Sequence, residues 1–150
     1  KFFYGMNLKV TYRNWDFGFN GHGSIGYKVF NDFASNHSTA YFDVNAGNLP
    51  NFATAVKRTG FTQISGDYQF FSDFYLEDAS FFRMDDINLG YTFKDLGKWG
   101  GNIRIAASCQ NVFVLTKYSG IDPEINSTDG VDRTFWPRPR TFSVRLNVNF

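Results

Sequence analysis

The chain has 150 residues, of which 20% are aromatic, 19 are Phe and 19% are charged, at a formal net charge of +1. The balanced, scattered charge gives no electrostatic case for nucleic acid, and a single cysteine, Cys109, excludes an intrachain disulfide. No apolar run approaches the roughly 18 residues of a transmembrane helix, which leaves open a membrane β-barrel, whose strands are short and alternate.

The chain opens at Lys1 inside a patterned segment, with no start Met and no signal peptide, and reads as a piece of something longer. Tyr4, Met6, Leu8, Val10 and Tyr12 share one face, against Gly5, Asn7, Lys9, Thr11 and Arg13 on the other. This period of two is the strand signal. A tight turn at Arg13-Asn14 leads to a second strand, with Trp15, Phe17, Phe19 and Ile25 against Asp16, Asn20, His22 and Ser24. A long connection follows, roughly from Tyr27 to Phe82, with a short helix expected around Asn51 to Arg58. The third strand sets Ile87, Leu89, Tyr91 and Phe93 against Asn88, Gly90 and Thr92. Phe82 and Met84 break this parity, so a β-bulge is expected at Asp85-Asp86.

A short Gly-rich turn, Lys94 to Asn102, leads to Ile103, Ile105, Ala107 and Cys109 against Arg104, Ser108 and Gln110. A second long connection spans roughly Val112 to Arg140. The last strand sets Phe142, Val144, Leu146, Val148 and Phe150 against Ser143, Arg145, Asn147 and Asn149. These runs of roughly 9–12 residues match the length of a tilted transmembrane strand and exceed the usual strand of a globular sheet. Short and long connections alternate, so antiparallel strands gather the short turns at one end. Tyr12, Trp15, Tyr91, Phe93 and Phe150 would form one interfacial girdle there. The fold class expected is all-β: an antiparallel transmembrane barrel segment of about five strands, with short periplasmic turns and long extracellular loops. A non-transporting outer-membrane barrel and a soluble β-sandwich binding module are the alternatives.

Three stretches carry a family likeness. Ala79 to Phe93 reads ASFFRMDDINLGYTF, Asn111 to Glu124 reads NVFVLTKYSGIDPE, and Pro137 to Phe150 reads PRPRTFSVRLNVNF. Their motifs, order and spacing resemble the C-terminal end of SusC/RagA-type TonB-dependent outer-membrane transporters of Bacteroidetes. The resemblance covers the second half of the chain; before Ala79 only the hairpin from Phe3 to Tyr27 fits. It implies a barrel of about 22 strands, a plug domain and TonB-contacting segment outside this chain, and a SusD-like surface lipoprotein as lid. It also implies oligosaccharide or peptide import across the outer membrane. The partners implied are therefore the rest of the barrel, lipid, the lid lipoprotein, the TonB complex and the outer-membrane assembly machinery.

Other chemistry finds little footing. Asp122, Glu124, Asp129 and Asp132 lack the EF-hand spacing and read as a solvated acidic loop. His22 and His37 have no Cys or carboxylate at zinc-ligand spacing, and no nucleophile elbow or phosphate loop occurs. No catalytic, cofactor or metal residue is assigned, and an enzyme is not expected. Cys109, on the apolar face, reads as a small inert wall residue. The long connections carry Tyr27, Tyr118, Trp136 and Arg138, residue types suited to stacking on a sugar or gripping a lid protein; these four are the contact candidates, and the later connection favours the lid. Phe150, a terminal aromatic on a terminal strand, resembles the signal by which bacterial barrels are recognised for assembly.

Overall fold

The computed structural model of the chain describes residues 1–37, 40–41, 62–63, 72–94, 100–125, 127–133 and 136–149. In chain order its elements are β1 (Phe2–Tyr12), β2 (Trp15–Ile25), β3 (Lys28–Asn31), the helix α1 (Asp32–His37), β4 (Ala40–Tyr41), β5 (Thr62–Gln63), a one-turn 3-10 helix (Asp73–Tyr75), β6 (Leu76–Asp78), β7 (Phe81–Phe93), β8 (Asn102–Thr116), β9 (Val131–Asp132) and β10 (Thr141–Asn149). They fall into two compact units, one of residues 1–26, 80–116 and 138–150, the other of 27–79 and 117–137. The helix expected at Asn51 to Arg58, and Phe150, lie outside the described residues.

The first unit is one antiparallel sheet in the order β1-β2-β7-β8-β10, made from the five segments whose alternation marks them as strands. Its register brings every apolar face to the same side. Leu8 pairs with Phe19, Phe17 with Leu89, Leu89 with Ala107 and Ala107 with Val144. These side chains do not close into a core. Leu8, Leu89, Ile105 and Leu146 are each at least 44% exposed, a continuous apolar surface that water alone would not tolerate.

The two-residue turn at Arg13-Asn14 is as expected, with Arg13 at φ 56 and Asn14 accepting a 2.9 Å hydrogen bond from the Thr92 amide. The bulge is also present. Between the pairs Asn20–Asp86 and Gly21–Met84, β7 inserts Asp85. Across the other edge β8 sets two residues, Asn111 and Val112, opposite that one. The apolar face of β8 therefore resumes at Phe113 and Leu115, and the strand runs to Thr116 rather than ending near Val112.

In the second unit the two long connections fold together. β3 pairs antiparallel with β6 and parallel with β9, while β4 and β5 form a small parallel ladder. Val29, Ala79 and Tyr118 make a buried cluster with Tyr27 and Ile125 packed on it. Asn31, almost fully buried, donates to Glu77 Oε1 at 3.0 Å and accepts from the Ala34 amide at 2.9 Å, capping α1. Ser119 donates its amide and hydroxyl to Glu77, at 2.8 and 2.6 Å, so each connection satisfies the polar groups of the other.

Candidate functional site

The chemistry of this chain lies on the two faces of the five-stranded sheet. On the apolar face, aromatics gather at both ends. At the short-turn end Trp15 meets Tyr91 edge-on at 4.7 Å, and Tyr91 meets Phe93 at 4.7 Å. At the other end Tyr4 stacks parallel to Phe82 at 6.3 Å across Gly23, which pairs with both, and Phe82 meets Phe113 at 6.2 Å. A Cβ at Gly23 would come within 2.4 Å of the Tyr4 ring, so the glycine makes room for the stack. The sequence pattern predicts one girdle. The structure adds the second, which pairing across β1, β2, β7 and β8 assembles from residues up to 111 positions apart (Phe2, stacked on Tyr4, to Phe113). Two aromatic belts bounding an apolar band are the signature of a strand wall that crosses a bilayer.

The opposite face is polar on all five strands. One row reads Asn7, Asn20, Asp86, Gln110 and Thr141 in continuous register. Asn7 donates to Asn20 Oδ1, and Asn20 donates to Asp86 Oδ2. Nearer the short turns, Arg104 Nε and Nη2 grip the Asp16 carboxylate at 2.9 and 2.6 Å, joining β8 to β2 across β7. Nearer the long connections, His22 Nδ1 lies 2.6 Å from Asp85 Oδ2. The bulge is what lets the consecutive residues Asp85 and Asp86 both find partners on this face. Arg83 donates to Asn111 Oδ1 at 2.7 Å, and Asn111 Nδ2 donates to the carbonyls of Arg138 and Pro139 at 2.7 and 3.3 Å. A face this rich in hydrogen-bonded polar and charged groups suits the interior side of a barrel wall.

The contact candidates divide. Tyr118 is buried, and its hydroxyl donates to Asp132 Oδ2 at 2.8 Å. Burial first, then Asp132, holds that hydroxyl protonated well above the usual tyrosine range. Tyr27 donates its hydroxyl to the Pro123 carbonyl and packs on the buried cluster. Tyr118 is therefore an internal tie of the second unit, where composition alone suggests a surface contact, whereas Tyr27 is half-buried at the edge of the same cluster. Trp136 is 84% exposed, and Arg138 is exposed with its carbonyl engaged by Asn111. Among the described residues no group of three or more His, Cys, Asp or Glu could hold a metal ion. Asp129 is held below the usual carboxylate range by a 2.9 Å bond from Arg133, and Asp122 accepts from the Glu124 amide, so these two acids serve loop geometry.

No family model matches the sequence. Curated relatives do: the chain is 37% identical, over 97% of its length, to the TonB-dependent receptor SusC of Bacteroides thetaiotaomicron. It is 29% identical, again over 97% of its length, to the TonB-dependent receptor P3 of Formosa agariphila. The chain is a segment of a SusC/RagA-type TonB-dependent receptor. It spans only 15% and 16% of those two relatives. Its fold matches the RagAB peptide transporter with a TM-score of 0.70 at 20% identity, covering 97% of this chain and 17% of that one. The RagAB peptide importer in its "open-open" state matches with a TM-score of 0.66. A SusC/RagA-type segment places this sheet in the wall of an outer-membrane barrel, with its apolar face toward lipid and its polar face toward the interior. The relatives are receptors and transporters, not enzymes. The soluble sandwich is set aside by the same belts and exposed faces.

Proposed function

We propose that this chain is the C-terminal wall of an outer-membrane nutrient importer, coupled to TonB through a plug and contact segment elsewhere in the protein. Long connections face the cell exterior and short turns face the periplasm. A SusD-like surface lipoprotein closes over the exterior mouth, and the cargo is an oligosaccharide or a peptide. The observation that carries this reading is the two-faced sheet joined to the 37% identity with SusC along almost the whole chain. Exposed Trp136 and Arg138 are the contact residues toward lid or cargo.

The test is to tag the full-length receptor, isolate it from outer membranes and identify what comes with it. A stoichiometric lipoprotein, together with cargo uptake that stops when TonB is deleted, is the expected result. A receptor isolated alone, with uptake indifferent to TonB, contradicts the importer and leaves a non-transporting barrel.

A further inference from the structure

The lipid-facing side of the sheet is not evenly corrugated. At the short-turn end it holds a depression of about 460 Å3, lined by Trp15, Leu89, Tyr91, Phe93, Ile105 and Ala107. Its cause is Ala107, which stands in register between Leu89 and Val144, so that a one-carbon side chain separates two long ones. Its wall is the edge-on ladder Trp15–Tyr91–Phe93.

Two cations lie at this end of the sheet. Arg13 is exposed in the turn, its guanidinium 5.3 Å from the centroid of the Tyr12 ring, and Tyr12 pairs with Trp15. Lys94 is exposed and directly follows Phe93. Neither makes an ion pair among the described residues. An open apolar depression and two cations without an ion pair, at the same aromatic end of the sheet, have the chemistry of an amphiphile with an anionic head.

We propose that this depression holds one acyl chain of a phospholipid, whose phosphate is met by Arg13 and Lys94. The proposal rests on the barrel reading above, and on the short turns facing the phospholipid leaflet. The full-length receptor, purified in detergent and incubated with phosphatidylglycerol, should retain one lipid when examined by native mass spectrometry. Ala107→Phe fills the slot and should lose that lipid. Arg13→Ala with Lys94→Ala should lose it too, without touching the slot. Leu8→Phe, on the same face but two strands away from β7, should keep it. Retention by Ala107→Phe, retention by the double variant, or equal loss in Leu8→Phe each overturns the site and leaves only the general lipid shell. A heat-dependent gel shift of the folded barrel keeps the two readings apart. A folded barrel with no bound lipid sinks the lipid site alone, whereas a wild-type protein that neither shifts nor enters bilayers sinks the barrel reading as well.

Discussion

Arg104 and Asp16 meet in a two-pronged bond over the backbone of Gly90, which pairs with Asp16 on one side and with Ala106 on the other. A Cβ at Gly90 would stand 2.6 Å from Arg104 Nη2 and 2.6 Å from Asp16 Oδ1. The glycine is therefore a socket for an ion pair that ties three strands at once. Gly90→Val should separate the pair, although valine itself favours strands. With side chains 31% and 20% exposed, the pair is partly screened, so the loss should be about 1 kcal/mol. Urea unfolding of the refolded full-length receptor measures it. Arg104→Ala in the Gly90→Val background should cost little more, because the contact is already gone.

The two faces should respond oppositely to charge. Leu8→Arg, mid-way along β1, puts a guanidinium into hydrocarbon and should cost about 2–4 kcal/mol. Ser108→Lys, on the polar face in the row of Lys9, Gly18, Asn88 and Ser143, should change stability far less. Folding into vesicles, followed by gel shift, gives both numbers.

Asn111 takes the left-handed conformation, φ 52, where the β8 irregularity turns. Asn tolerates this backbone better than most residues, and its side chain also joins Arg83 to the start of β10. Asn111→Gly should keep the backbone and lose the bonds; Asn111→Ala should lose both. The alanine variant should be the less stable by about 1 kcal/mol. Equal stability would mean that the bonds, and not the backbone, decide this position.

How much of this was legible follows from how far apart the interacting residues lie. The five strands, the first turn and the Asp85 bulge were readable because a period of two is a local property of the chain. The grip of Arg104 on Asp16 joins residues 88 apart in sequence, and only register places them together. The second aromatic belt was missed for the same reason. Tyr27 and Tyr118 looked like contact residues by type, yet the parallel pairing of β3 with β9 folds two connections into one unit and draws Tyr118 inside. Nothing local announces such pairing.

Tyr118 gives the second unit a pH dependence. Its hydroxyl is raised above the ordinary tyrosine pKa of about 10. The stability linked to it is therefore complete below that value and is lost as pH rises through it toward the raised folded value. Tyr118→Phe should remove this alkaline loss. It should also cost about 1–3 kcal/mol near neutral pH, because buried Asp132 loses a donor. Hydrogen exchange of residues 27–37 and 117–125 against pH checks both.

The central claim is that the sheet has lipid on one side and a wet interior on the other. Spin labels at Leu8, Leu89 and Leu146, and at their neighbours Asn7, Asn88 and Asn147, test it most directly, in the full-length receptor with Cys109 replaced by Ala and the protein held in bilayers. The account predicts that the three Leu positions collide with dissolved oxygen and the three Asn positions with a water-soluble nickel chelate, alternating residue by residue. Labels at Leu8, Leu89 and Leu146 that are shielded from oxygen, or six positions with no alternation, would contradict it.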